Sequence, residues 1–312
     1  MKTVLTARTI GCVPRRGYRA WQFALCLVRG GATYLFGGAK CLCCGRSTYA
    51  LPLCASCSRA LFAFTPLYAD AVSAVGTSSL LHTSVASVVS GGSSSLRHRV
   101  DAVSATVGMV LPSPARCRVC GKVLLSEIEY CMRCRTQPVL RHTDGVFPLH
   151  GYQLWRKMLL HAWKSEGQRA LSPFFAAMVY RALVGLYRQC GMEIPVVPVP
   201  PRPGKIRREG WDQIAELCTH LRHGYGVTLR ALLRRVSCTQ QKRLRRTERL
   251  AYASASYALS RRGRRLLRRG APRAVVLVDD VLTTGATLES CAQVLKMAGV
   301  TRVYAITLFA VE

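Results

Sequence analysis

The run Val275-Val276-Leu277-Val278-Asp279-Asp280-Val281-Leu282-Thr283-Thr284-Gly285-Ala286-Thr287-Leu288 constrains this chain more than any other part of it. Its first residues, with Ala274 ahead of them, are β-prone and apolar, and predict a buried strand over 274–278. Two acids follow at the strand's carboxyl end, then a Thr/Gly-rich turn, then a helix over 287–297 stopped by Gly299. A helix N-terminus offers unpaired N–H groups and the positive end of the helix dipole, which together favour a bound phosphate. Gly285 permits a positive φ and a close approach of the anion. Thr283, Thr284 and Thr287 add hydroxyl donors without adding charge. The bland alternative is that Asp279-Asp280 only close a turn after the strand, and the full fourteen-residue pattern weighs against it.

Strand and helix patterns alternate on either side of this unit once Pro138 is passed. Residues 152–163 carry Leu154, Met158, Leu159 and Ala162 at helical spacing, and 171–186 form a second apolar-periodic helix ending near Cys190-Gly191. Residues 194–199 form a short apolar run closed by Pro200-Pro201; Pro195 and Pro198 push that strand towards a sheet edge. Residues 211–221 read as helix and 302–311 as a terminal strand. This alternation predicts an α/β fold, a mainly parallel sheet with helices on both faces.

The cysteines set a second constraint. Eight of the fifteen fall into four Cys-x-x-Cys pairs. Cys41/Cys44 and Cys54/Cys57 are nine residues apart, and Cys117/Cys120 and Cys131/Cys134 are ten apart. Four thiolates on two knuckles close a tetrahedral zinc site that leaves no position open for substrate, so the expected role is structural. Two sites of four cysteines each are the simplest arrangement; a shared or interleaved one is the alternative. Paired knuckles of this kind belong to a reducing compartment, and the expected location is the cytoplasm. The apolar stretch 21–28 is too short and too soon broken by Arg29-Gly30-Gly31 to insert stably in a membrane.

The formal net charge of +30 points to a polyanionic partner, with scattered arginine drift as the competing explanation. Drift explains scattered residues better than dense runs, and from Arg230 to Arg273 there are fifteen Lys or Arg against one acid, Glu248. Single- or double-stranded DNA is the candidate macromolecular partner, because neutralised phosphates supply affinity without sequence preference. The expected organisation is a basic extension over 1–34, a double zinc module over 35–138 interrupted by a Ser/Ala/Val-rich insertion at 71–111, and an α/β domain over 139–312.

The loop at 275–288 resembles the ribose-phosphate motif of type I phosphoribosyltransferases. That resemblance implies that Asp279 and Asp280 meet the ribose 2′- and 3′-hydroxyls, and that Thr283, Thr284, Gly285, Ala286 and Thr287 hold the 5′-phosphate. The wider chain, from about residue 35 to 308, is similar to the ComF group of competence-associated proteins. The resemblance is carried by the cysteine pairs, Tyr152-x-x-Trp155-Arg156 with Lys164 after it, Pro198-Val199-Pro200-Pro201-Arg202 and Gly210-Trp211-Asp212-Gln213. It continues in Gln241-x-x-Leu244-x-x-x-Glu248-Arg249 and the phosphate loop. Two positions depart from the group: Glu209-Gly210-Trp211-Asp212-Gln213 replaces its Arg-Gly-Phe-Asn-Gln, and Tyr252 replaces an Asn. The resemblance implies a phosphoribosyl pyrophosphate ligand, Mg²⁺, and displacement of pyrophosphate by a nitrogen nucleophile. Pro200, Pro201 and Arg202 would form the pyrophosphate-side loop, and a mobile cover would bring Arg243, Arg245, Arg246 or Arg249 to the anion. A DNA-binding accessory protein with a non-catalytic ribose-phosphate pocket is the alternative.

Overall fold

A computed structural model describes residues 39–48, 51–63, 115–124, 126–137, 140–152, 155–236 and 256–311. The expected extension at 1–34, the insertion at 71–111 and the arginines expected in a cover, Arg243, Arg245, Arg246 and Arg249, lie outside these residues.

Strands β1 (Ala39–Lys40) and β2 (Ser47–Thr48) form an antiparallel pair around the first cysteine knuckle, and helix α1 (Ala55–Ala63) follows. Helix α2 (Met132–Thr136) belongs to the second cysteine cluster. Then come β3 (Gly145–Gly151), α3 (Trp155–Lys164), α4 (Ser172–Cys190), β4 (Val196–Pro198), α5 (Lys205–Glu209) and α6 (Gln213–Tyr225). A second small antiparallel pair joins β5 (Leu233–Arg235) to β6 (Tyr257–Leu259). The chain ends with α7 (Arg261–Arg268), β7 (Ala274–Leu282), α8 (Ala286–Met297) and β8 (Arg302–Ala310).

Strands β3, β8, β7 and β4 form one four-stranded sheet in that order, and every pair in it is parallel. The expected α/β fold is therefore present. β4 is an edge strand, as Pro195 and Pro198 demand; on its outer side it is met by one parallel bridge from Val196 to Leu229. Strand β7 outruns its predicted end by four residues because β8 pairs with it as far as Leu282.

Side chains alternate across a strand, so the sheet has two buried faces. Val276, Val278, Ile306, Leu308 and Leu149 face α3, α4 and α6. Val275, Leu277, Val303 and Ala305 face α8 and the β5–β6 pair. Helix α4 starts with Pro173 in its first turn and ends at Gly191, whose φ of 66° suits a left-handed cap. By length and composition α4 with the turn before it could cross a membrane, yet most of it is buried against the sheet, which makes it the core helix. Trp163 is fully buried, meets Phe175 edge-on at 4.8 Å and donates its Nε1–H to Ser172 Oγ at 2.8 Å. Burying Phe175 and Phe309 stabilises the fold by about 1.5–3 kcal/mol each.

The two cysteine clusters pack on opposite faces of the sheet. Cys41, Leu53 and Leu61 join the core beneath α4, whereas Cys117, Cys120 and Leu124 join the core beneath α8.

Candidate functional site

Parallel strands bring all their carboxyl ends to one edge of a sheet, and ligands of open α/β sheets bind beyond that edge. Here β7 ends in Asp279-Asp280 and its neighbour β4 runs into Val199-Pro200-Pro201-Arg202. Between them opens a cleft of 1040 Å³ whose walls include Pro200, Pro201, Arg202, Asp279, Asp280, Thr283 and Thr287. Seven of the ten residues expected at the site thus share one cleft. Thr284 lines a separate recess beside the second cysteine cluster, with Thr283 common to both. Gly285 is buried and precedes α8 with a φ of 85°, so it supplies the left-handed turn that starts the helix. Ala286 is the first residue of α8.

The acids sit on opposite faces of β7. Asp280 is nearly buried, with Lys164 Nζ at 2.7 Å and Gln213 Nε2 at 2.9 Å from its Oδ2. Both donors come from helix ends on the α3–α6 face: Lys164 closes α3 and Gln213 opens α6. Asp279 opens on the cleft, and its Oδ1 accepts the backbone N–H of Asp280 at 2.9 Å. Burial, and then the charge of Asp280, push the Asp279 carboxyl well above its ordinary pKa. Burial acts on Asp280 too, but the Lys164 ammonium and the Gln213 amide outweigh it and hold Asp280 below its ordinary value. The first proton to leave the pair therefore comes from Asp280.

Lys164 and Gln213 stand within the ComF resemblance without a role of their own in the sequence, and no sequence signal singles out Lys205. Lys205 Nζ lies 3.0 Å from Asp212 Oδ2 and also donates to Gln213 Oε1. Asp212 accepts from Ala215 N at 2.9 Å, so it caps α6 and fixes the helix end that carries Gln213. A charge relay of this form spans β7, α6 and α5 and has no local sequence pattern.

On the other side of the loop, Glu289 in the first turn of α8 accepts the backbone N–H groups of Arg141 and His142 and lies 2.6 Å from His142 Nδ1. Arg133, inside the knuckle Cys131-x-x-Cys134, donates to the carbonyls of Thr283 and Thr284 at 3.2 and 3.4 Å.

The thiols converge as two groups of four. In Cys41/Cys44/Cys54/Cys57 and in Cys117/Cys120/Cys131/Cys134, the sulfurs of each set all lie within 4.8 Å of one another. The interleaved alternative is excluded by this grouping. The sulfurs of Cys44 and Cys54, and those of Cys120 and Cys131, are 3.7 Å apart, too far for a disulfide and suited to a shared ion. Gly45 N and Gly121 N each donate to the first cysteine's carbonyl, at 2.9 and 2.8 Å, and both glycines have positive φ. A Cβ on Gly121 would meet Val146 O at 2.1 Å, so the second knuckle can approach β3 only with glycine there. Burial and the neighbouring sulfurs push Cys134 up to about 12 and raise Cys57 as well, because four thiols this close cannot all ionise unaided. A zinc ion among them would supply the missing positive charge.

No protein-family model matches the chain. Competence protein F of Haemophilus influenzae is 26% identical to it over 189 residues, which cover 59% of this chain and 80% of that protein. The parallel sheet and both thiol clusters stand beside that match in support of the resemblance. The chain is similar to the ComF group in this match and in its thiol clusters. The departure from the ComF pattern at Asp212 has a simple physical reading. Asp and Asn cap a helix about equally well, and the charge that Asp adds here is matched by Lys205. Glu209 lies 3.8 Å from the same ammonium. Tyr252, the second departure, lies outside the described residues.

Proposed function

We propose that the cleft binds phosphoribosyl pyrophosphate or a closely related ribose 5-phosphate. The observation that carries this reading is the meeting, in one cleft, of the β7 acids, the threonine loop before α8 and the Pro200–Arg202 turn. In this reading Asp279 and Asp280 take the ribose hydroxyls, and the N–H groups and hydroxyls of Thr283 to Thr287 take the 5′-phosphate. Pro200, Pro201 and Arg202 hold the pyrophosphate side. Lys164 and Gln213 orient Asp280.

Transfer of the phosphoribosyl group breaks the bond from ribose C1 to pyrophosphate and forms one from C1 to a nitrogen nucleophile. For a step with a loose, cationic transition state, positioning and charge stabilisation are the protein's main tasks. Among the described residues, the groups of three or more converging metal-ligating side chains are the two thiol clusters. Mg²⁺ carried in on the ligand's phosphates would neutralise the leaving pyrophosphate. Equilibrium dialysis of labelled phosphoribosyl pyrophosphate with and without Mg²⁺ tests the binding reading. Pyrophosphate release across a panel of bases tests the transfer.

A second reading has its own observation. Helix α7 and the residue after it expose Arg261, Arg262, Arg264, Arg265, Arg268 and Arg269 together, with Ser260 capping the helix through Gly263 N at 2.8 Å. So many guanidinium groups on so short an element favour a polyanion, and DNA is the partner this reading takes. Competition separates the two: a ligand of the cleft alone would displace DNA that enters the cleft, and would leave DNA held on α7 in place.

A further inference from the structure

We propose that Arg133 is a positioning residue for the phosphate loop, through which the second cysteine cluster, and not the first, sets the loop's backbone orientation. The inference rests on the ribose-phosphate reading of the cleft for its ligand, but its geometry stands apart from that reading. Arg133 lies between Cys131 and Cys134, so the knuckle that gathers the thiols also fixes where its Cα is held. Its two terminal nitrogens reach successive carbonyls, Thr283 O at 3.2 Å and Thr284 O at 3.4 Å, across 150 residues of sequence. The planar guanidinium suits this task because its donors are set in a rigid fork.

The consequence follows from peptide geometry. The described peptides include no cis bond, and in a trans peptide the C=O and N–H point in opposite directions. Drawing the Thr283 and Thr284 carbonyls towards the cysteine cluster therefore turns the N–H groups of Thr284 and Gly285 away from it. Two consecutive amides are thereby presented side by side, the arrangement that makes an anion-binding concavity. Without Arg133 the same two peptide planes are free to rotate, and one rotation would present a carbonyl to the phosphate.

The segment that leaves the cluster is fastened to the same loop twice more. Leu140 packs under Gly285, close enough that a Cβ there would meet Leu140 Cδ2 at 3.0 Å. Glu289 receives the N–H groups of Arg141 and His142. The loop is thus held from the cluster's side at its start, its turn and the first turn of α8. The first cluster packs on the other face of the sheet, among the core residues beneath α4.

Three variants of the full chain test this: Arg133→Met, Arg133→Lys and Arg135→Met. Arg135 shares the helix and the charge but donates to Tyr130 O, away from the loop. Phosphoribosyl pyrophosphate with Mg²⁺ is the probe, zinc content is measured for each variant, and amide exchange is followed in residues 283–290. Arg133→Met should weaken binding about tenfold, equivalent to about 1.4 kcal/mol, and should speed exchange in that segment. Arg133→Lys keeps the charge without the fork and should fall between, while Arg135→Met should match the unaltered protein in both readouts. If the unaltered protein binds and Arg133→Met binds equally well with unchanged exchange, the positioning role is wrong and the ligand reading survives. If the unaltered protein does not bind, the ligand reading fails, and exchange alone decides: faster exchange confined to Arg133→Met upholds the clamp, and equal exchange overturns it. Should Arg133→Met fail to fold, Arg133→Lys against Arg135→Met decides the matter by the same measures.

Discussion

Replacing Asp279 and Asp280 by asparagine, one at a time, should move stability in opposite directions. Asp280→Asn removes an ion pair to Lys164 at 2.7 Å and weakens the hydrogen bond from Gln213 at 2.9 Å. An exposed ion pair contributes about 0–1 kcal/mol and a hydrogen bond to a charged group about 1.5–3 kcal/mol. Asp280 is 11% exposed and Lys164 47%, so solvent screens the pair from one side and the loss is about 1–2 kcal/mol. At about 2–4 °C per kcal/mol, Tm should fall by about 2–8 °C at pH 7. The stabilisation that Asp280 gives is present above the ordinary carboxylate pKa of about 3.9 and is lost as the pH falls through its lower folded value. Asp279 behaves in the opposite way. The fold favours its protonated carboxyl, an advantage complete below the ordinary value and lost as the pH rises through its raised one. Asp279→Asn, which cannot ionise, should therefore leave Tm unchanged at acid pH and raise it increasingly towards neutrality. Thermal unfolding followed by circular dichroism between pH 4 and 8 reads both trends. An equal fall in Tm for the two variants at pH 7 would refute the charge asymmetry assigned to the pair.

Reduced, purified protein should carry about two zinc ions per chain, and Cys54→Ser or Cys131→Ser should each remove about one; metal analysis checks this, and a folded, metal-free protein would contradict it. Asp212→Ala should cost about 1 kcal/mol by uncapping α6, whereas Asp212→Asn should be close to neutral; chemical denaturation of the pair of variants gives the comparison. If α7 holds DNA, affinity should fall steeply with salt. Replacing Arg264, Arg265, Arg268 and Arg269 by Gln should then flatten the slope of log K against log salt by about 0.9 for each phosphate that is no longer neutralised. Filter binding that is absent, or indifferent to salt, at low ionic strength would remove the DNA reading.

How far the sequence alone reveals this molecule depends on whether the determinants are local. The unit from Ala274 to Met297 is legible because each part writes its own pattern: a β-prone run, two acids, a glycine with positive φ and an apolar-periodic helix. The cysteine clusters are legible for the same reason, since each knuckle closes within a few residues. Strand β3 has no such signal. It contains Gly145, Pro148 and His150, and it exists because β8, more than a hundred and fifty residues later, pairs with it from Tyr304 to Ala310. Helix α7 reads only as a run of charge, because it is too polar to show an apolar stripe; Ser260 caps it and Gly263 lets its backbone close on Leu232. At the cleft, the residue types are visible in the sequence and their partners are not. Lys164 reaches Asp280 across 116 residues and Arg133 reaches Thr283 across 150, and spacing along a chain carries no trace of such pairings.

The claim that the loop before α8 holds a ribose 5-phosphate is tested most directly by titration calorimetry of the full chain with phosphoribosyl pyrophosphate in the presence of Mg²⁺. Saturable binding by the unaltered protein is the expected result, weakened in Asp280→Asn by loss of a carboxylate at the ribose and in Thr284→Val by loss of a hydroxyl beside Ala286 N. No heat of binding from the folded, zinc-loaded protein, or binding that neither substitution alters, would contradict it.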